Sequence, residues 1–188
     1  MKKESFVILA DGFELIEAMT PVDVLRRAGM DVKTVSINAT ETVMSANGVA
    51  VLADCLFDAE MLADAEWIIL PGGMPGAVNL YEFEPLREVV EKQYNSAEGK
   101  IASICASPAV VLGQMGLLKG RKCICYPGFE EKLEGGELAE TGVTVDDKFV
   151  LGAGPGLALP WSLEIAKVAR GEEVAAQVAD GMLVNRYK

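Results

Sequence analysis

The stretch Ile101-Ala-Ser-Ile-Cys-Ala-Ser-Pro108 places a thiol where chemistry is easiest to arrange. Ile101 to Ile104 is apolar and β-branched at both ends, which predicts a short buried strand. Ala109-Val-Val-Leu-Gly-Gln-Met predicts the first turns of a helix ending near Gly116. Cys105 therefore falls at the break between strand and helix. Free N–H groups of a first helical turn point toward such a side chain, and the helix dipole favours negative charge there. Both effects lower a thiol pKa and stabilise a thiolate. The same geometry serves hydrolases that use serine. The alternative is a cysteine that merely fills the core, and position alone leaves both readings open.

Two further clusters have the right chemistry to assist. Gly72-Gly73, after the apolar run Trp67 to Leu70, would let backbone N–H groups approach a ligand closely. With the N–H of Ala106, these glycines would form an oxyanion hole beside Cys105. The loop has neither the Gly-x-Gly-x-x-Gly spacing nor a phosphate-binding lysine, so it does not read as a nucleotide site; a plain tight turn is the alternative. Glu14 and Glu17 lie three residues apart, on one helix face. Glu14 reads as charge compensation at a helix start. Glu17 sits among apolar residues, where a carboxyl tends to keep its proton. Were it to face Cys105, one proton would be shared between acid and thiol.

The chain contains no histidine. That removes any imidazole base and most zinc sites. The cysteines are Cys55, Cys105, Cys123 and Cys125. Cys123-x-Cys125, with no histidine in the chain to complete a ligand set, does not read as a useful metal pair, and neither metal nor cofactor is expected. A net charge of −11 and the lack of a basic run argue against nucleic-acid binding. The first apolar run, Phe6 to Ala10, is too short for a signal-peptide core or a membrane span, and no later run suffices. The expectation is a cytoplasmic protein with free thiols and no membrane partner.

These residues need a scaffold, and the pattern supplies one. Strands are expected at Ser5–Ala10, Met30–Ile37, Trp67–Leu70, Lys100–Ile104 and Cys123–Cys125. Helices are expected at Glu14–Ala28, capped by Gly29 and kinked or broken at Pro21, and at Asp58–Ala65, Glu82–Tyr94, Gly154–Ala169 and Glu172–Ala179. Asn47-Gly48 predicts a hairpin within Glu41–Ala53, and Asp146-Asp147-Lys148 another between Gly142–Val145 and Phe149–Gly152. With 188 residues, 51% of them hydrophobic, and no linker or repeat, one domain over 1–188 is expected. Alternating strands and helices imply an α/β fold with a mostly parallel sheet and helices on both faces. Ligands in such folds sit at the C-terminal ends of strands. The loops after Ala10 and Leu70 and the turn at Cys105 all qualify.

Several segments together resemble the ThiJ/PfpI family, in its DJ-one-like branch. They are Val7-Ile-Leu-Ala-Asp-Gly-Phe-Glu-Leu-Ile-Glu17, Pro21-Val-Asp-Val-Leu-Arg-Arg-Ala-Gly29, Leu70-Pro-Gly-Gly73, Ala102-Ser-Ile-Cys-Ala106, Gly154-Pro-Gly156 and Glu173-Val-Ala-Ala-Gln-Val178. The resemblance covers nearly the whole chain in order. It implies a flavodoxin-like sandwich, usually a homodimer, with Cys105 reactive, Glu17 its protonated partner, and backbone donors at Gly73 and Ala106. Activities attributed to the family include glutathione-independent glyoxalase, protein deglycase, peptidase or amidase, and oxidative-stress sensing with chaperone function. Some members carry a thiazole monophosphate biosynthesis label.

Two positions depart from the family pattern. Tyr126 stands where members often have a histidine, and a phenol with a pKa near 10 is a poor base at neutral pH. Ser107 stands where many have glycine; its hydroxyl would cap the helix or bond the sulfur, and both residues are expected to line the pocket. Without an imidazole a peptidase is disfavoured. Three readings remain: a cysteine-dependent enzyme of small aldehydes or glycated substrates; a sensor in which Cys105 oxidises to sulfinic acid without turnover; and a dimeric chaperone-like module with a vestigial pocket.

Overall fold

Strand β1 (Glu4–Leu9) is apolar on both faces, as a strand covered on both sides must be. Phe6 and Ile8 enter one hydrophobic cluster, Val7 and Leu9 the other. The computed structural model describes residues 3–184 and 186, so the expected domain of 1–188 extends past the described residues at both ends.

The chain continues through α1 (Leu15–Arg27), β2 (Asp31–Ser36), β3 (Thr42–Met44), β4 (Ala50–Leu52), β5 (Cys55–Leu56), β6 (Trp67–Leu70), α2 (Gly76–Glu82), α3 (Glu84–Asn95) and β7 (Lys100–Ile104). Then come β8 (Lys122–Cys123), β9 (Glu137–Leu138), β10 (Val143–Val145), β11 (Phe149–Gly152), α4 (Ala158–Arg170) and α5 (Glu172–Gly181). Seven strands form the main sheet in the order β10-β11-β7-β6-β1-β2-β5. All its pairs are parallel except β10 with β11. This is the expected α/β architecture. From β1 the chain builds outward through β2 and β5, then returns to build through β6, β7 and β11. The order reverses between β1 and β6, the place where such sheets open a crevice.

Helices α1, α4 and α5 cover one face through Leu25, Trp161, Ile165 and Val178. Helices α2 and α3 cover the other through Leu80, Leu86 and Val90. Trp67 and Trp161 are both buried, and the indole N–H of Trp161 donates to the Val150 carbonyl at 2.9 Å. The Asn47-Gly48 hairpin forms as an antiparallel pair apart from the main sheet, with Gly48 at φ +77°. Among the described residues no helix is long and apolar enough to cross a membrane.

Several expectations give way. Pro21 does not divide α1, which runs from Leu15 to Arg27 as one helix; tertiary packing of its buried residues outweighs the missing N–H. Asp58–Ala65 is a series of turns, in which the Ala63 N–H donates to the Glu60 carbonyl at 3.3 Å and the Ala65 N–H to that of Leu62 at 3.2 Å, three-residue bonds in place of a helical ladder. The helix expected at Glu82–Tyr94 forms as α3, and α2, which was not expected, precedes it. They are separated at Phe83, whose ψ of 93° is extended and whose ring packs edge-on against Phe57 at 5.0 Å. The strand expected at Cys123–Cys125 is shorter and pairs with β9, outside the main sheet. The helix expected after Cys105 is π-helical over Pro108–Gly113.

Candidate active site

Cys105 follows β7 directly and has φ +64°, a left-handed conformation rare for a residue with a side chain. Two hydrogen bonds hold it there. Its N–H donates to the Gly152 carbonyl at 2.9 Å, and its own carbonyl accepts the Tyr126 N–H at 2.7 Å. The strain is thus imposed from β11 and from the segment after β8. The side chain is half-buried, and the N–H groups of Gly73 and Ala106 hydrogen-bond to its sulfur.

Glu17 reaches the same point from the first turn of α1 and is completely buried. Its Oε2 accepts the Gly72 N–H at 2.8 Å, while Oε1 has no protein hydrogen-bond partner. The carboxyl lies within hydrogen-bonding reach of the Cys105 thiol. Gly72 is where these two residues converge. A Cβ on it would lie 2.7 Å from both the Cys105 Cβ and Glu17 Oε2. Gly73, at φ +91°, could carry no Cβ either, since one would lie 2.5 Å from the Gly12 carbonyl oxygen. The loop's fit against the first helix, rather than a lax turn, is what demands the two glycines.

Burial raises Glu17 from an ordinary 4.5 to about 7, against the pull of the Gly72 N–H and the thiol. Cys105 is pushed up to about 12, first by burial, then by the charge and hydrogen bond of Glu17. The N–H groups of Gly73 and Ala106 pull downward without prevailing. The expected lowering of the thiol pKa is therefore not met. The flanking group is a potential anion rather than a cation, and a six-residue π-helix offers little dipole to oppose it. With both groups pushed up, the coupled pair holds two protons below about 7 and a single, shared one between about 7 and 12. The donors at sulfur favour its residence on Glu17, and the Gly72 N–H favours its residence on the thiol.

The remaining candidates divide. Gly72 was expected among the oxyanion donors, but its N–H is committed to Glu17, which leaves Gly73 and Ala106. Ser107 is fully buried, and its hydroxyl donates to the Pro71 carbonyl at 2.6 Å rather than capping the helix. It supports the loop instead of lining an open pocket. Tyr126 is exposed, its ring edge-on to Phe129 and against Gly154. Its backbone, not its phenol, is what touches Cys105. The other thiols, Cys55, Cys123 and Cys125, are free, and among the described residues no cluster of three or more His, Cys, Asp or Glu residues is arranged to hold a metal. Sequence reasoning missed the Gly152 carbonyl, whose position follows from the parallel register that sets Gly152 beside Ile104. It also missed Asn79, whose side-chain amide donates to the Asp11 carbonyl at 2.8 Å and ties α2 to the loop after β1.

The chain is similar to known proteins over most of its length. The DJ-1/PfpI family model matches residues 3–168. Protein DJ-1 homolog B of Arabidopsis thaliana is 38% identical over 98% of this chain, which spans 42% of that longer relative. The glutathione-independent glyoxalase DJR-1.2 of Caenorhabditis elegans is 30% identical, over 92% of this chain and 91% of its own. Among solved structures, oxidized DJ-1 of Toxoplasma gondii superposes with a TM-score of 0.90 at 36% identity, covering 96% of this chain and 98% of its own.

Proposed function

Because the chain belongs to the DJ-1/PfpI family, we propose that it is a cysteine-dependent enzyme of small reactive carbonyls, converting a 2-oxoaldehyde to a 2-hydroxy acid without glutathione. The observation that carries this reading is the buried Glu17 carboxyl, with a free Oε1, set against a thiol that two backbone N–H groups also address.

The steps balance within the substrate. The Cys105 sulfur attacks the aldehyde carbon, and the shared proton passes to the resulting oxygen, giving a hemithioacetal. The Gly73 and Ala106 N–H groups hold that oxygen as its charge develops. Glu17, now ionised, removes the proton from the former aldehyde carbon to give an enediolate, then returns it to the adjacent carbon while the hydroxyl proton passes to the former ketone oxygen. The two-electron shift oxidises one carbon and reduces its neighbour, leaving a thioester of the 2-hydroxy acid. Water cleaves the thioester and restores thiol and carboxyl. No external oxidant or cofactor enters. With a glycated amine the sulfur would attack the carbinolamine carbon and the amine would leave with the shared proton, giving the same hemithioacetal. Lactate formation from methylglyoxal without glutathione tests the reading; equal rates for the protein and Cys105→Ser would end it. A worm relative named as a glutathione-independent glyoxalase supports the choice.

A second reading draws support from the same donors. Two equivalents of peroxide would convert the thiol to sulfinate with release of two waters. The Gly73 and Ala106 N–H groups and a protonated Glu17 would then hold its oxygens. Mass spectrometry after mild peroxide tests this, and oxidation of Cys55 or Cys123 with Cys105 left reduced would count against it.

We also infer that a second copy covers the surface around the start of α1. Ile16 on that helix and Met44, Val49 and Leu52 on the hairpin stand exposed, and the hairpin is tied to the loop before α1 by bonds from the Gly12 N–H to Met44 and from the Ala46 N–H to Phe13. Light scattering decides it: a monomer at micromolar concentration would refute the homodimer.

A further inference from the structure

The Pro71–Gly72 peptide group is held at both ends by side chains. Its carbonyl oxygen accepts the Ser107 hydroxyl at 2.6 Å, and its N–H donates to Glu17 Oε2 at 2.8 Å. Ser107 and Glu17 are both completely buried, so neither bond competes with water. The next carbonyl is held too, because Gly72 O accepts the Glu14 N–H at 2.9 Å. The plane that presents the Gly72 N–H is thus fixed by the π-helical turn on one side and by the start of α1 on the other. An oxygen that accepts an N–H is the carbonyl-like oxygen of a carboxyl, which leaves the other oxygen to bear the proton. That other oxygen, Oε1, is buried without a protein partner.

We propose that Ser107 is a positioning residue whose hydroxyl, acting through the Pro71–Gly72 peptide group, fixes the Glu17 carboxyl so that Oε1, not Oε2, carries the proton. This rests on the reading of Glu17 as the proton partner of Cys105. A hydrogen bond to a peptide carbonyl polarises the group and makes its N–H a stronger donor. Ser107 therefore strengthens the bond that holds Glu17 ionised at Oε2, although its own side chain touches neither Glu17 nor the reacting atoms. The charges that bear on Glu17 are the thiol of Cys105 and the carboxylate of Glu14. Neither is altered by a change at 107.

The test is a carbon-13 NMR titration of the Glu17 carboxyl in glutamate-labelled protein, assigned with Glu17→Gln. Wild type should titrate near 7. Ser107→Ala keeps an allowed backbone, since residue 107 is helical at φ −66°, and removes only the hydroxyl. It should raise the midpoint by about 0.5 pH unit, because the donor that favours the ionised form is weakened. Ser107→Gly should do the same, and Ser107→Thr, which retains the hydroxyl, should restore the wild-type midpoint. A merely structural role would lower thermal stability and leave the midpoint in place. In the unmodified protein the Gly72 amide proton should shift downfield with the same midpoint as the carboxyl. A folded Ala or Gly variant that titrates like wild type, a Thr variant displaced as far as Ala, or a Gly72 amide that ignores the titration would each overturn the proposal. None of these measurements needs turnover. If wild type makes no lactate but the midpoint moves, the enzyme reading fails and the role of Ser107 stands; lactate formation with an unmoved midpoint has the opposite meaning.

Discussion

Cys105 and Glu17 meet over Gly72, close enough that one added methyl there would lie 2.7 Å from atoms of both. The contact on one side is the Cys105 Cβ, which the clamped backbone of the elbow cannot withdraw. Gly72→Ala should therefore destabilise the protein by about 2 kcal/mol or more, the usual scale of overpacking at a rigid site. It should also push the carboxyl away from the thiol. Urea denaturation reads the first effect and loss of the shared-proton titration reads the second. An alanine variant as stable as wild type would show that the loop can yield.

Burial of Glu17 makes stability depend on pH in a definite direction. Its folded value, about 7, lies above its ordinary 4.5, so the folded state binds the extra proton between those limits. Stability is then full below about 4.5 and falls as pH rises through 7. The loss is on the order of 3 kcal/mol at pH 8, from 1.36 kcal/mol per pH unit over that interval. Glu17→Gln places a neutral amide there and should abolish the loss. Comparing the variants by urea denaturation at pH 4.5 and pH 8 checks it: Gln should gain on wild type only at the higher pH, and an equal gap at both would contradict the account.

The scaffold of this site could be read from residues alone, and so could the nearness of Cys105, Glu17 and the Gly72-Gly73 loop. Continuous apolar runs at Val7–Leu9, Trp67–Leu70 and Ile101–Ile104 specify strands buried on both faces, and each is followed by a break that places a loop at the same sheet edge. What the sequence could not disclose was set by long-range partners. Whether Glu17 lowers or raises the thiol depends on which donors reach the sulfur, and that is decided by how the β6 loop sits on α1. The turn geometry at 58–65, the separation of α2 from α3 at Phe83 and the π-helical path after Ser107 likewise follow from hydrogen bonds and ring packing rather than from local propensity. Ser107 was visible as a hydroxyl beside the cysteine, but its partner, Pro71, lies on another loop.

The same pair sets how Cys105 reacts with alkylating agents. Its thiol is raised to about 12, and the charge and hydrogen bond of Glu17 follow burial among the causes. Removing that charge lowers the thiol, so Glu17→Gln should bring the midpoint of iodoacetamide modification down and speed the reaction at pH 8. Each pH unit of displacement gives about tenfold in thiolate population. Peptide mapping must assign the label to Cys105, since Cys55 is also partly accessible. A slower reaction in the glutamine variant would mean that Glu17 activates the thiol by taking its proton, and would reverse the sign argued here.

The left-handed backbone of Cys105 allows strain to be separated from chemistry. At φ +64° a side chain costs about 2 kcal/mol that glycine does not incur. In ordinary helical or extended backbone, alanine is the more stable of the two by about 1 kcal/mol. At position 105 the order should invert, with Cys105→Gly more stable than Cys105→Ala by about 1 kcal/mol after the greater chain entropy of unfolded glycine is offset. Both variants lack the sulfur and so lose its desolvation equally, which leaves backbone strain as the difference between them. Denaturant midpoints at neutral pH measure it. Alanine equal to or above glycine would mean that the bonds from Gly152 and Tyr126 hold the elbow without stored strain.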